Sequence, residues 1–393
     1  MRNEPWISKR WSPGVLSYNQ VNCLIDEQLI KNADLIEDKD GDTSALDIRL
    51  SDEAYLLTQG TVKPWGSQYL QTLKDLGLVE ALDPADGSFL LEPGKSYLFK
   101  TRETLVSNVL DSSPIFGQAT AKSSVGRMDV LARLIVDGMS SYEEFNPEGL
   151  RKGSGELFVE VTPLTFPVRV KADTSITQLR FFVGAPEACE VNGRHICQSI
   201  LNDSDAAEPY LHLDLTSERV DGDLACAFKA KEKTNESVEP IRLWKPTVGE
   251  SLDKPRPELY WEREAADEHR RFPIRPNKFY ILRSKERIAV PKGVAIYCRA
   301  IDETIGEIRI HYAGFVHPWF GQKRADGQAG TPLIFEVRGH SVKANLRDEE
   351  ILAKLIFYRM SEDACEPESA TSYSNQSLQL STFFAEWGTP ESK

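Results

Sequence analysis

The second half of this 393-residue chain replays the first. Leu213-Asp214-Leu215-Thr216-Ser217 echoes Leu46-Asp47-Ile48-Arg49-Leu50-Ser51. Arg275-Pro276-Asn277-Lys278-Phe279-Tyr280-Ile281-Leu282 echoes Glu92-Pro93-Gly94-Lys95-Ser96-Tyr97-Leu98-Phe99, and Leu333-Ile334-Phe335-Glu336-Val337 echoes Leu157-Phe158-Val159-Glu160-Val161. The echoes keep their order, which chance matches would not do. A chain of this length suits two domains, each large enough to bury a core of its own. Short apolar runs broken by Pro and Gly (Phe89–Leu91, Tyr97–Lys100, Ala119–Ala121, Leu157–Val161, Val168–Val170, Gln178–Val183) have the spacing of a sandwich or barrel. The expected fold is therefore mainly β, with two tandem homologous β domains over 1–186 and 206–360, a few short helices, a connector at 187–205 and a polar tail at 361–393. Val15–Lys31 is predicted as one short helix, and Trp65–Leu82 has helix-like spacing.

Charge narrows the partners. Forty-seven basic against 60 acidic residues leave a net charge of −13, which repels a nucleic-acid backbone but allows a small anion at a local cationic cluster. The amino terminus carries no continuous apolar run, so neither a secretory signal nor a membrane span is expected, and the predicted setting is cytoplasmic. Six scattered cysteines without a C-x-x-C read as free thiols, and structural zinc is not expected.

Lys122-Ser123-Ser124-Val125-Gly126-Arg127 packs two cations, two hydroxyls and a glycine into six residues, a composition suited to an oxyanion. If Ser123 caps a helical turn, Arg127 projects from the same face. Arg127 offers a rigid fork for phosphate oxygens and Lys122 a mobile point charge; a solvated capped turn is the plainer alternative. Each repeat also places one glutamate inside an apolar strand, Glu160 and Glu336. Either points at solvent, or it is buried, its pKa rises, and it becomes a general base near neutral pH. Before Glu336, His311-Tyr312-Ala313-Gly314-Phe315-Val316-His317-Pro318-Trp319-Phe320-Gly321 has small residues that let a flat base approach the backbone. Gly94-Lys95-Ser96 is not a P-loop, because Phe89 stands where the first glycine is required.

The phosphate motif, the Ala-Gly-Phe-Val hairpin, the strand glutamate and Tyr373…Asn375-Gln376 together resemble the two-domain bacterial dCTP deaminases of the dUTPase-like β superfamily, from about Ser44 to Phe384. The resemblance implies tandem distorted jelly-roll or β-barrel domains and hydrolysis of dCTP to dUTP and ammonia without zinc. It places the triphosphate on Ser123, Ser124 and Arg127, with Lys122 where arginine is usual, and gives Ser123 and Arg127 a part in the catalytic water network. It puts base and sugar contacts at Tyr312, Ala313 and His317, and a closing tail at Tyr373 and Gln376. Mg²⁺ is expected to arrive with the triphosphate, the chain to be a homo-oligomer, and inhibition by dTTP is allowed.

Family sites form between neighbouring domains, which fits an asymmetry here. The first repeat keeps the phosphate motif but has Asp137-Gly138-Met139-Ser140-Ser141-Tyr142 in place of the hairpin; the second keeps the hairpin but has Arg299-Ala300-Ile301-Asp302-Glu303-Thr304 in place of the motif. One composite site is therefore expected, with Glu336 as base and Glu160 as a relic or a structural residue. Three positions depart from the family: His317 replaces an aspartate, Trp319 a turn glycine, and Ser377 the glycine after Gln376. Two other readings accompany the deaminase: a bifunctional deaminase–pyrophosphatase or pyrophosphatase yielding dUMP, and a pyrimidine-nucleotide binder without turnover.

Overall fold

The computed structural model describes residues 4–37, 44–231, 238–245, 254–301, 308–311 (backbone), 314–322, 330–367 and 376–389. The fold is mainly β, and its two large sheets share one strand order. In the first half the path runs Val130–Val136, Glu156–Pro163, Tyr97–Leu105, Leu46–Leu57, Ser175–Val183, Ile115–Ala121, Glu144–Phe145. In the second, the counterpart strands are Ile308–His311, Thr331–Gly339, Phe279–Ile288, Tyr210–Asp214, Ile351–Arg359, Val294–Ala300 and Phe315–Val316.

Two of the three echoes hold residue for residue. Glu160 lies opposite Leu98, and Glu336 opposite the equivalent Ile281. The Tyr97 hydroxyl accepts the Glu92 N–H at 3.0 Å, and the Tyr280 hydroxyl accepts the Arg275 N–H at 3.1 Å. The remaining echo is displaced. Leu50 bonds the backbone of Asp173 and Thr174 as Leu213 bonds that of Glu349 and Glu350, so Leu213 corresponds to Leu50 rather than Leu46. An alternating strand matches itself at every even shift, so pattern alone could not choose the register.

The local elements are shorter than their sequence patterns. Within 15–31 the helix is Tyr18–Asp26, closed by a capping box of Ser17 and Gln20 and flanked by the strands Gly14–Val15 and Ile30–Lys31. Within 65–82 it is Tyr69–Asp75; Gly77, at a φ of +68°, turns the chain into the strand Val79–Leu82. The stretch read as a connector folds as part of the second half. Glu190–Val191 pairs with Ile351–Arg359, and helix Arg194–Leu201 buries Cys197, Ile200 and Leu201, the i, i+3, i+4 face of one helix.

The second half buries a core of its own around Leu213, Phe272, Leu282 and Phe357, and a further cluster joins the two halves. Val125, Met128 and Phe166 of the first pack in one cluster with Phe228, Trp261 and Ile281 of the second, and the Phe166 ring meets Tyr260 and Trp261 edge-on at 5.5 and 5.4 Å. The described tail completes that cluster. Leu378, Leu380 and Phe384 are buried, Phe384 against Tyr260 and Trp261, and Trp387 stacks on Phe228. A polar lid was expected there, but the apolar residues in the tail make it a fixed strap. Phe384→Ala is therefore expected to destabilise the protein by about 3–5 kcal/mol in denaturant unfolding, as for other buried aromatics. A loose lid would give a change near zero. Among the described residues no helix is long and apolar enough to cross a membrane.

Candidate active site

A cavity of about 1650 Å³ opens between the halves, lined by Lys122, Ser123, Ser124 and Arg127 from one and by His317 and Glu336 from the other, with Gln376 of the tail. The phosphate motif forms a single turn, Ser123–Gly126, in which the Arg127 N–H bonds the Ser123 carbonyl at 3.1 Å. Its cap residue is Lys122, not Ser123, and no side chain caps the turn. The two serines are left facing the cavity.

Glu336 stands opposite this turn. Its strand, Thr331–Gly339, lies between Phe279–Ile288 and Ile308–His311, so a residue at its centre has little access to water. The residue is 5% exposed, and its Oε2 has no hydrogen-bond partner among the described residues. Burial pushes this carboxyl well above the usual range; the Arg127 guanidinium pulls it back and Asp129 pushes it further up. Contact with the motif is close: a Cβ built on Gly126 would fall 2.2 Å from Glu336 Oε2. Only the missing side chain at Gly126 lets the two halves bring turn and carboxylate together.

The raised pKa carries a sign. A carboxyl that holds its proton more tightly when folded contributes most stability below its unfolded value near 4.5, and that contribution falls as pH rises through the raised folded value. Glu336→Gln removes the titrating group. The variant should melt a few degrees above wild type at about pH 8, with the gap closing by about pH 4. Equal melting at both pH values would mean that the carboxyl is not held as described.

Arg127 is 3% exposed and serves the tail: it donates to Gln376 Oε1 at 2.6 Å and to the carbonyls of Gln379 and Leu380 at 3.1 and 3.4 Å. Gln376 Nε2 donates in turn to the Pro332 carbonyl at 2.8 Å, four residues before Glu336. Ser381 donates to the Ser124 carbonyl, and Lys122 pairs with Asp47 at 2.5 Å. Gln376 thus reaches the motif, while Lys122 is committed to a carboxylate.

His317 lines the cavity, with Nδ1 2.7 Å from the Pro318 carbonyl and its ring edge-on to Phe320. Trp319 has a φ of +70°, which explains why glycine suits that turn; here the indole N–H donates to the Ala364 carbonyl at 3.1 Å and helps hold the strained residue. Tyr312, Ala313 and Tyr373 lie outside the described residues.

Glu160 has a different environment. Its carboxylate pairs with Arg133 at 2.7 Å and accepts the Tyr142 hydroxyl at 3.1 Å and the Val62 N–H at 3.3 Å. Burial raises its pKa, Arg133 opposes the rise, and Glu160 does not line the cavity between the halves. Tyr142, from the segment that replaces the hairpin, thus covers Glu160 on the hydroxyl side and packs its ring against Arg133 at 4.3 Å.

Two arrangements were not visible in the motifs. Asp129, just past the motif, binds Thr165 and also Arg338, two residues beyond Glu336. Arg180, fully buried, donates to the Ile296 carbonyl at 3.0 Å and packs over the Phe315 ring at 3.9 Å, holding the hairpin from the other half. A lone arginine in the apolar run Gln178–Val183 was the available signal. Among the described residues no three His, Cys, Asp or Glu side chains gather closely enough to hold a metal ion.

Comparison with known proteins decides the family. Residues 12–185 match the N-terminal domain model, and residues 202–384 the C-terminal domain model, of 2′-deoxycytidine 5′-triphosphate deaminase. This chain belongs to the 2′-deoxycytidine 5′-triphosphate deaminase family. Among solved structures, the deaminase of that name from Agrobacterium tumefaciens superposes with a TM-score of 0.74 at 25% identity, over 90% of this chain and 97% of that one. No curated protein matches. As a deaminase-family chain, it carries the phosphate motif in the residues matched by the first model and the strand glutamate in those matched by the second.

Proposed function

We propose that this chain hydrolyses dCTP to dUTP and ammonia at one composite site, with Glu336 as the general base. The observation that carries the reading is the contact of the buried Glu336 carboxylate, whose Oε2 has no partner among the described residues, with Gly126 of the phosphate motif across the junction of the halves. The family match favours deamination over the bifunctional and the non-catalytic readings.

Glu336 takes a proton from water, and the hydroxide adds to C4 of the cytosine ring while the carboxyl delivers that proton to N3. The carboxyl then moves the proton of the new hydroxyl to the exocyclic amine, which leaves as ammonia. A raised pKa suits both steps, since the same group must accept and return a proton near neutral pH. The Ser123 hydroxyl, facing the cavity, stabilises the addition intermediate. Ser124, Lys122 and Arg127 border the triphosphate, His317 the sugar, and Gln376 closes the site through Arg127.

Mg²⁺ enters with the phosphates in this reading. The surrounding cations suit an ion that the nucleotide carries better than one held in a protein cage. A homo-oligomer in the cytoplasm is part of the same proposal, and light scattering measures its size. The test of function is incubation of purified protein with dCTP and Mg²⁺, following ammonia and nucleotides together. Equal amounts of ammonia and dUTP are expected. Appearance of dUMP and pyrophosphate would move the assignment to the bifunctional reaction, and saturable binding without ammonia would remove catalysis from it.

A further inference from the structure

The cations of the phosphate motif are already engaged, Lys122 by Asp47 and Arg127 by the tail. A different pair on the cavity wall has no carboxylate partner among the described residues. Ile241–Arg242, a strand from the second half, pairs in parallel with Val168–Val170 of the first, so that Arg169 and Arg242 stand in register side by side. The strand is fixed in place: Ile241 and Leu243 are buried in the shared core, the Ile241 N–H bonds the Pro167 carbonyl at 3.0 Å, and Leu243 N–H that of Arg169 at 2.9 Å. Both arginines line the cavity, with Lys171 two residues along and over the Trp244 ring at 5.0 Å.

Like charges on directly paired positions oppose each other and destabilise a sheet. Among the described residues no ion pair offsets that repulsion. Of the acidic residues lining the cavity, Asp34 pairs with Arg49, Asp47 with Lys122 and Asp173 with Arg102, leaving Glu239 and Glu336. Arg169 donates to the Ser88 hydroxyl at 3.0 Å, and neither arginine forms an ion pair among the described residues. In a chain of net charge −13, two adjacent unneutralised guanidinium groups on a cavity wall fit a ligand of high negative charge.

We infer that Arg169 and Arg242 form a polyphosphate subsite that receives the outer phosphates of the nucleotide, and so set the preference for a triphosphate. The inference rests on the deaminase reading for its substrate, but its geometry is independent of Glu336. Arg242 is exposed, so Arg242→Ala leaves the core intact. The expected result is a KM for dCTP raised about tenfold or more, from loss of a charge-assisted contact, with kcat unchanged and the inhibition constant of dCMP unmoved. Added salt should narrow the difference. An unchanged KM for dCTP, or an equal weakening of dCTP and dCMP, would overturn the subsite.

Titration with inorganic tripolyphosphate separates this outcome from the fate of the activity itself. Wild type and Glu336→Gln should bind it alike, and Arg242→Ala about tenfold more weakly. If wild type releases no ammonia, that pattern still upholds the subsite while the deaminase reading falls. Absence of tripolyphosphate binding, or equal binding by all three proteins, rejects it.

Discussion

Glu336→Gln is expected to lower kcat for ammonia release from dCTP by about 10²–10⁴-fold, the usual contribution of a positioned general base. The amide keeps the shape of the side chain, and removing a buried charge does not harm the fold, so dCTP should still bind. In wild type the rate should fall as pH is lowered through the raised pKa of Glu336, well above the acid range in which an ordinary carboxylate titrates. Glu160→Gln provides the contrast. Its partners Arg133, Tyr142 and Val62 make it a structural residue, so that variant should lose stability while retaining turnover. Loss of turnover in Glu160→Gln alone would reverse the assignment.

Gly126→Ala should be nearly as damaging to activity, for a steric reason. The added methyl would lie 2.2 Å from Glu336 Oε2 and 2.9 Å from the carboxyl carbon, so the carboxylate must move. Gly126 is the last residue of the Ser123–Gly126 turn and is not among the positive-φ glycines, so alanine meets no backbone strain there. Displacing a catalytic group by about 1 Å costs on the order of 10²-fold in rate. The two substitutions should also be strongly non-additive: once Glu336 is glutamine, Gly126→Ala has little catalysis left to remove. Independent, multiplying losses in the double variant would mean that Gly126 acts through something other than the carboxylate.

The tandem repeat was legible because side-chain pattern repeats with the strands. Tyr97 and Tyr280, and Glu160 and Glu336, could be paired from sequence since each stands out within an apolar run. The slip of the Leu46 and Leu213 echo shows where that method stops, because a period of two cannot distinguish one even shift from the next. The complementary loss of hairpin from one half and motif from the other pointed to a composite site, and the contact between Gly126 and Glu336 has that form. The commitments of the cations were not legible. Lys122 meets Asp47, 75 residues away, and Arg127 meets Gln376, 249 away; no local pattern encodes either partner. The tail misled for a related reason: its aromatic end, Phe383-Phe384-Ala385-Glu386-Trp387, is plain in the sequence, but the distant core that receives Leu378, Leu380 and Phe384 is not.

The central claim is that two repeats build one site. Calorimetric titration of Glu336→Gln with dCTP and Mg²⁺ counts nucleotides per chain without turnover. One nucleotide per chain is the predicted stoichiometry, unchanged when Glu160→Gln is added. Two per chain, falling to one on that addition, would mean that each repeat holds a site of its own and would contradict the composite account.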